Sequence, residues 1–156
     1  MANQEHVDLL KQGVAQWNVW REQHREIQPD LTKADLHHAD LCNANLFSAD
    51  LRNANLNHAN LRHANLFYAN LIYATLNYAI LIYATLDRAN LSEANLKDAN
   101  LCDANLLSTN LDTADLCRVN LIDANLRHAN LRNANLSQTD LSRADLSGTF
   151  AKYVVE

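Results

Sequence analysis

The chain has 156 residues, enough for one domain, with 18 acidic and 13 basic side chains and a formal net charge of −5. This balance disfavours direct binding to nucleic acid, which needs a basic surface. No apolar run approaches the ~20 residues of a membrane-spanning helix, and the N-terminus lacks the basic-then-apolar order of a signal peptide, so we expect a cytoplasmic protein.

Residues 1–28 are predicted to form an N-terminal helical cap. Gly13 is expected to divide this segment into two helices, and Arg21 suits the last helical turn. A partner-binding helix is the alternative interpretation. Five apolar side chains follow helical spacing and are the candidate core of the cap: Val7, Leu10, Val14, Trp17 and Trp20.

A five-residue repeat occupies residues 29–149. From Leu31 to Leu146 a leucine recurs at every fifth position, which makes 24 leucines in register. The residue two before each leucine is almost always alanine, and the residue just before it is almost always Asn or Asp. The exceptions are Pro29, Thr109, Val119 and Thr139 in place of alanine, and Thr75, Ile80 and Thr85 in place of Asn or Asp.

This period excludes a simple helix and a flat strand. A helix turns about 100° per residue, so leucines five apart would scatter around its axis. In a strand, an odd step of five would place successive leucines on opposite faces. The pattern is satisfied if the chain turns a corner once per repeat, with leucine and the small residue pointing inward.

Four such corners use twenty residues, so the block predicts about six stacked coils. At ~4.8 Å per coil the rod would be roughly 29 Å long. An exposed coil end presents apolar cross-section and unpaired backbone, so it needs a lid, and Trp17 and Trp20 are the predicted plugs.

Stretches such as ANLRHANLRNANL resemble the pentapeptide repeat family, whose consensus is A-(D/N)-L-x-x. The resemblance covers residues 29 to about 148 and implies an all-β solenoid, a right-handed quadrilateral β-helix. Family members often carry glycine at the last repeat position, where this chain has only Gly148. The turn type at the corners is therefore left open.

Histidines cluster in the opening coils at positions 37, 38, 58 and 63. His38 and His58 are twenty residues apart and are expected to stack, with His63 one corner away. A shared metal ion is conceivable, but no carboxylate or thiol obviously completes a ligand set, so we expect solvated side chains and no metal.

The next coil carries four tyrosines at successive corners. Together with outward apolar residues they form a candidate protein-contact surface, which we call the tyrosine belt. Its predicted members are Phe67, Tyr68, Ile72, Tyr73, Tyr78, Ile80, Ile82 and Tyr83. β-Branched and aromatic residues also simply favour β surfaces, so a purely structural role is the alternative. Phe47 is expected to stack on Phe67.

Beyond Leu86 the outward positions become charged. Three opposite-charge stacks are predicted between residues twenty apart: Asp98 with Arg118, Asp112 with Arg132, and Asp123 with Arg143. Asn dominates the position before leucine, which avoids a repelling ladder of carboxylates.

Cys42, Cys102 and Cys117 are expected to stay unpaired. Cys42 and Cys102 lie three coils apart, roughly 14 Å at ~4.8 Å per coil, which is too far for a disulfide and suits a reducing compartment.

At the other end, residues 150–156 form a C-terminal tail or cap, in which Phe150, Tyr153 and Val155 are candidates to cover the last coil or to pair with a second molecule.

No Gly-rich phosphate loop, G-x-S-x-G elbow or Cys-x-x-Cys pair is present, so we expect no enzyme, no catalytic residue and no cofactor. The first functional hypothesis is an interaction scaffold for an unknown protein partner, either a monomer or a weak homodimer. The alternative comes from the family resemblance, because some members mimic DNA and bind DNA gyrase. Those members carry a continuous acidic surface, whereas this chain mixes charges.

Overall fold

The computed structural model describes residues 2–151, which begin with two short helices. These are α1 (Gln4–Gln12) and α2 (Val14–Gln23). The side chain of Asn3 accepts the Glu5 backbone N–H at 3.0 Å and caps α1. Gly13 ends α1 and starts α2 with φ of 135°, a conformation that residues with a side chain rarely adopt. The glycine therefore sets the angle at which α2 leaves α1.

Parallel β-bridges join residues twenty apart through the rest of the described chain. The series runs from Asp30 with Asp50 to Asn130 with Phe150, with one bridge per five-residue repeat. Four bridges therefore belong to each twenty-residue coil, which is the four-sided coil that the leucine period predicts. From Leu31 to Leu131, each leucine N–H of the repeat donates to the carbonyl of the residue nineteen positions later, as Leu36 does to Asn55 at 2.8 Å.

The corners between the sides are tight turns. The alanine N–H donates to the leucine carbonyl three residues earlier, as in Ala34 to Leu31 at 3.0 Å. Within residues 2–151, 23 non-glycine residues from Lys33 to Arg143 occupy the third turn position with φ between 55° and 61°. Positive φ at the third position alone is the type II arrangement. The sequence alone did not determine the turn type at the corners.

Left-handed backbone costs a non-glycine residue about 1–2 kcal/mol. From Lys33 to His128, each corner residue offsets this cost with an inter-coil hydrogen bond, as Lys33 N–H does to the Arg52 carbonyl at 2.9 Å. Glycine is therefore not required at these corners, although Gly148 has the same handedness with φ of 71°.

The core is a column of leucine and alanine. Every leucine of the repeat from Leu31 to Leu126 is at most 1% exposed, and Leu131 is 4% exposed. Burial declines in the last coil, where Leu136 and Leu141 are half-buried and Leu146 is 38% exposed. A full set of 24 buried leucines is therefore not reached, because no further coil within residues 2–151 covers the last one.

Two threonines replace inward alanines without leaving an unpaired hydroxyl. Thr109 Oγ1 donates to the Leu86 carbonyl and Thr139 Oγ1 to the Leu116 carbonyl, both at 2.8 Å. Burying a hydroxyl without such a bond would cost about 1–3 kcal/mol.

The helix pair packs on the first coil through α2. Trp17 is fully buried, and its Nε1 donates to the Asn45 carbonyl at 2.9 Å. The Asn18 side chain accepts the Asn45 N–H at 2.8 Å and donates to the Asn43 carbonyl at 3.0 Å. These side chains take the place that a preceding coil would have in the backbone ladder.

Two side chains of α2 make contacts that the sequence did not predict. Trp20 is half-buried, lies against the core and also packs between His6 and His24 at centroid distances of 4.9 and 5.1 Å. Arg21 lies in the last turn of α2, as predicted. It is 3% exposed and donates to the carbonyls of Ile27 and Phe47 at 2.7 and 3.1 Å, and its burial lowers the pKa of the guanidinium.

We predict that Leu91→Asp abolishes folding. Leu91 is fully buried at mid-rod, so the variant combines a lost core side chain with an unpaired buried charge. The matched control is Leu146→Asp, which places the same charge at an exposed leucine and should keep a cooperative melting curve. A wild-type melting curve for Leu91→Asp would refute the inward leucines.

We also predict that Trp17→Phe destabilises the chain by about 1–3 kcal/mol in urea unfolding, because the Asn45 carbonyl loses its buried donor. Trp20→Phe is the control, since within residues 2–151 the Trp20 indole nitrogen makes no hydrogen bond that the substitution could remove, whereas Trp17 Nε1 does. Equal effects for the two variants would contradict the assigned role of Trp17.

Candidate functional site

The four tyrosines of the belt project from the four corners of one coil. Tyr68, Tyr73, Tyr78 and Tyr83 are 46%, 52%, 53% and 54% exposed. The remaining predicted members of the belt are half-buried between the tyrosine corners: Phe67, Ile72, Ile80 and Ile82. The belt is therefore a ring of exposed phenols above a partly covered apolar layer.

Each of these hydroxyls faces a charged residue one coil further on. Tyr73 donates to Glu93 at 2.8 Å, and this hydrogen bond raises the pKa of Tyr73. Arg88 donates to the Tyr68 hydroxyl at 2.5 Å. The other two hydroxyls face carboxylates, Tyr78 facing Asp98 and Tyr83 facing Asp103.

Sequence reasoning missed these four charged partners. The signal that would have found them was the same twenty-residue spacing, applied from each tyrosine to the next coil.

Aromatic rings stack beneath two of the tyrosines. Tyr78 lies on His58 with centroids 4.9 Å apart and planes 5° apart, and Tyr83 lies on His63 at 5.2 Å and 11°. His58 in turn stacks on His38 at 4.7 Å. Neighbouring coils therefore cover these ring faces, so ring edges and hydroxyls are what the belt offers to a partner.

The widest aromatic area lies on one side of the rod. Phe67 stacks on Phe47 with centroids 5.9 Å apart, as predicted, and meets Tyr68 edge-on at 4.4 Å. The Arg88 guanidinium lies 5.6 Å from the Tyr68 ring centroid. This side combines aromatic surface with a cation.

The histidine cluster is a set of packed rings. The rings of His38 and His58 stack face to face, 12° from parallel, and His37 meets His38 edge-on at 5.4 Å. Residues 2–151 contain no group of three or more His, Cys, Asp or Glu side chains placed to hold a metal.

The three cysteines are unpaired and half-buried. Cys102 Sγ donates to the Asp103 carboxylate at 3.2 Å, and this bond raises the pKa of the thiol. A raised pKa disfavours the nucleophilic thiolate.

Two of the three predicted charge stacks form. Arg118 makes two bonds to Asp98, both of 2.6 Å, and Arg143 makes two bonds to Asp123 of 2.7 and 2.6 Å.

The third prediction, pairing of Asp112 with Arg132, was wrong. Asp112 accepts from Asn133 at 3.0 Å, and Arg132 turns over the Phe150 ring at 5.8 Å. The exposed Phe150 ring at the end of the rod is therefore the partner of Arg132.

The position before leucine forms a hydrogen-bonded ladder. Asn110 Oδ1 accepts the Asp112 N–H at 3.2 Å, while Asn110 Nδ2 donates to Asn90 Oδ1 at 3.0 Å. Asn can fill both roles, whereas a carboxylate can only accept. Asp30 and Asp50 are stacked directly on neighbouring coils.

The belt coil interrupts this ladder with Thr75, Ile80 and Thr85. Because Thr75 does not cap the turn, the Asn77 N–H donates to Asn57 Oδ1 at 2.8 Å. The belt coil therefore lacks the Asn side chains that pair between coils elsewhere, and it presents apolar and phenolic side chains at its surface.

The family model for pentapeptide repeats matches eight copies across residues 30–148 of the chain. The chain belongs to the pentapeptide repeat family. Solved cyanobacterial members of this family are similar to the chain. One is HetL, a protein involved in heterocyst differentiation regulation from Nostoc sp. strain PCC 7120. It is 41% identical with a TM-score of 0.74, over 76% of this chain and 56% of HetL. Another, Rfr23 from Cyanothece 51142, is 37% identical with a TM-score of 0.54, over 67% and 65%.

QnrB1, a plasmid-mediated fluoroquinolone resistance protein, is 24% identical with a TM-score of 0.67, over 76% of this chain and 57% of its own, and bears on the fold alone. These structures imply that this pentapeptide repeat protein is a right-handed quadrilateral β-helix. The chain spans just over half the length of HetL. A comparison with proteins of curated function gives no significant match. Neither helix of the described residues is long and apolar enough to cross a bilayer.

We predict that the ion-pair columns make stability fall in acid. Hydrogen bonds from Arg118 and Arg143 lower the pKa of Asp98 and Asp123. A lowered folded pKa means that the stabilisation is complete above the unfolded value of about 3.9 and is lost as pH falls through the folded value.

Asp98→Asn with Asp123→Asn should therefore flatten the fall in Tm between about pH 5 and pH 2. The control is Asp112→Asn, which removes a carboxylate that lacks an ion pair within residues 2–151. A Tm slope that the double variant leaves unchanged would exclude these pairs as its source.

Proposed function

We propose that this chain is a non-enzymatic scaffold that binds a protein partner through the tyrosine belt. The observation that carries the proposal is the ring of four half-exposed tyrosines on one coil. Tyrosine is enriched at the centres of protein interfaces because it combines a large apolar body with a hydrogen-bonding tip.

Two further features support a contact role for this coil. The ladder of Asn or Asp side chains before leucine is interrupted in this coil and almost nowhere else. The coil therefore lacks side-chain hydrogen bonds of the kind that its neighbours make. The Phe47, Phe67 and Tyr68 rings also extend the belt along one side, where a partner would bury the most apolar area. HetL offers a family precedent for a regulatory pentapeptide repeat protein, although this chain spans only 56% of it.

DNA mimicry with binding to DNA gyrase is the alternative function, and the charges weigh against it. The corner residues beyond the belt carry both signs of charge, with Arg88 beside Glu93 and Arg118 above Asp98. Carboxylates that are paired with arginine present little of the continuous negative field that a DNA-binding surface recognises.

The organisation that accompanies this proposal has three parts. Residues 1–28 act as the cap of the first coil, residues 29–149 form about six coils, and residues 150–156 form a tail, of which 152–156 lie outside the described residues. We propose a cytoplasmic protein that is a monomer or a weak homodimer.

The decisive experiment is capture from the native cell lysate with a belt variant as comparison. Tyr73→Ser with Tyr83→Ser should keep the fold and lose at least ten-fold of the captured partner. The matched control, Asn53→Ser with Asn133→Ser, changes two residues outside the belt in the column of Tyr73 and should capture normally.

Equal capture by the belt variant would reject the belt as the contact. Gyrase subunits retained by both variants would instead favour DNA mimicry.

Self-association is tested separately by light scattering. If the belt holds a weak homodimer, the same double tyrosine variant should scatter as a monomer at concentrations where the wild type is dimeric. An unchanged mass would remove self-association from the role of the belt.

A further inference from the structure

The first coil is sealed by the helix pair on only two of its four sides. At Asp30 the backbone N–H donates to His6 Nδ1 at 3.0 Å and the carbonyl accepts from the Asn3 N–H at 3.1 Å. At Asn45 the N–H and carbonyl are bonded to Asn18 and Trp17. The helices thus complete the ladder at Asp30 and Asn45.

The two sides between them are left open. Within residues 2–151, the backbone N–H groups of Asp35 and Asp40 have no hydrogen-bond partner, and neither do their carbonyls. The carbonyls of His37 and Cys42 likewise have no hydrogen-bond partner in this part of the chain. We call the backbone of residues 35–42 the open edge.

The next coil defines what would pair with the open edge. Asn55 N–H donates to the Ala34 carbonyl at 2.9 Å, and the Asn55 carbonyl accepts from Leu36 at 2.8 Å. The Asn57 carbonyl accepts from the His38 N–H at 2.9 Å. A chain that added to the open edge in parallel would repeat these three bonds on Asp35 and His37.

A groove of about 550 Å³ lies between the open edge and the helices. Leu10 and Val14 line it on the helix side, and Leu36 and Leu41 on the coil side. Ala39 at its floor is half-buried, whereas the neighbouring inward alanines Ala34 and Ala44 are 4% and 0% exposed. The groove therefore combines unpaired backbone with apolar walls.

The charge of the groove is mainly acidic. Asp35 and Asp40 are both exposed along it, and Lys11 is the cation among its lining residues. The hydrogen bond from His37 lowers the pKa of Asp35 and so favours its ionised form. Within residues 2–151 Asp40 has no ion pair. A partner segment with basic side chains complements this charge.

We propose that the open edge binds an extended basic segment of a partner protein by β-strand addition. The segment runs parallel to residues 35–42. It places small or apolar side chains towards Val14 and Ala39, which are the half-buried apolar residues of the groove lining, and basic ones towards Asp35 and Asp40. Main-chain hydrogen bonds supply affinity in this mode, and alternate side chains supply specificity. The surface lies one to two coils from the tyrosine belt and is independent of it.

The test uses a synthetic nonapeptide, Ala-Arg-Leu-Lys-Gly-Ala-Arg-Leu-Lys, acetylated and amidated at its ends. Its glycine allows the positive φ of the corner between the two sides. Amide hydrogen exchange is followed by NMR on the full chain.

Asp35 and Asp40 should exchange rapidly in the free protein and at least ten-fold more slowly with saturating peptide. Asn55 and Asn60, which are already paired, should not change.

The matched variants are Asp35→Asn with Asp40→Asn against Asp103→Asn with Asp112→Asn. Asn is the usual residue at the first pair of positions, so the fold is kept. Removing two exposed charges should weaken peptide binding about five-fold at low salt, while the remote pair should have little effect.

Three results would overturn the proposal. Equal binding by a scrambled peptide would indicate attraction by net charge alone. Slow exchange of Asp35 and Asp40 in the free protein at every concentration would mean that the edge is already covered. Protection that grows with protein concentration in the absence of peptide would assign the edge to a second copy of this chain.

Discussion

The structure depends on one constraint, which is that an inward leucine and an inward small residue must recur every five residues. The constraint is met by a type II corner at each repeat, and the corner is held by the N–H of its left-handed residue. Once Lys33 donates to Arg52 in this way, every later residue lies above the one twenty positions before it. Backbone register, core and surface columns follow together.

Stacking of residues twenty apart into columns explains why many polar side chains on the surface are already hydrogen-bonded to a neighbour. Asn110 is bonded both to its own turn and to the coil before it, and Arg118 is bonded twice to Asp98. Even the stacked histidines use their ring faces on one another. The polar and charged groups of these columns are hydrogen-bonded to their neighbours in the next coil or in the same turn. The belt and the coil ends are the regions where we propose that a partner binds.

The leucine period predicted the coil, its twenty residues and the stacks of His38 on His58 and Phe47 on Phe67, because these depend only on register. Register does not fix side-chain direction near an end. Arg132 therefore packs on Phe150 and not on Asp112, and Arg21, which lies in the last turn of α2 as predicted, also donates to the Phe47 carbonyl of the first coil. The sequence predicted the tyrosine belt. It would also have predicted the hydrogen bonds to Glu93 and Arg88 if the twenty-residue spacing had been applied from each tyrosine to the next coil.

The two candidate contact regions differ in what they can recognise. The belt offers side chains whose hydroxyls are already held by Glu93 and Arg88, so a partner gains mainly apolar contact there and must match a rigid surface. The open edge offers backbone groups that the helix pair does not reach, because the hydrogen bonds of α1 and α2 to the first coil are made at Asp30 and at residues 43–47. A folded surface suits the first region and an extended chain suits the second. One partner could therefore occupy both regions only if it combined a folded domain with a basic extended segment.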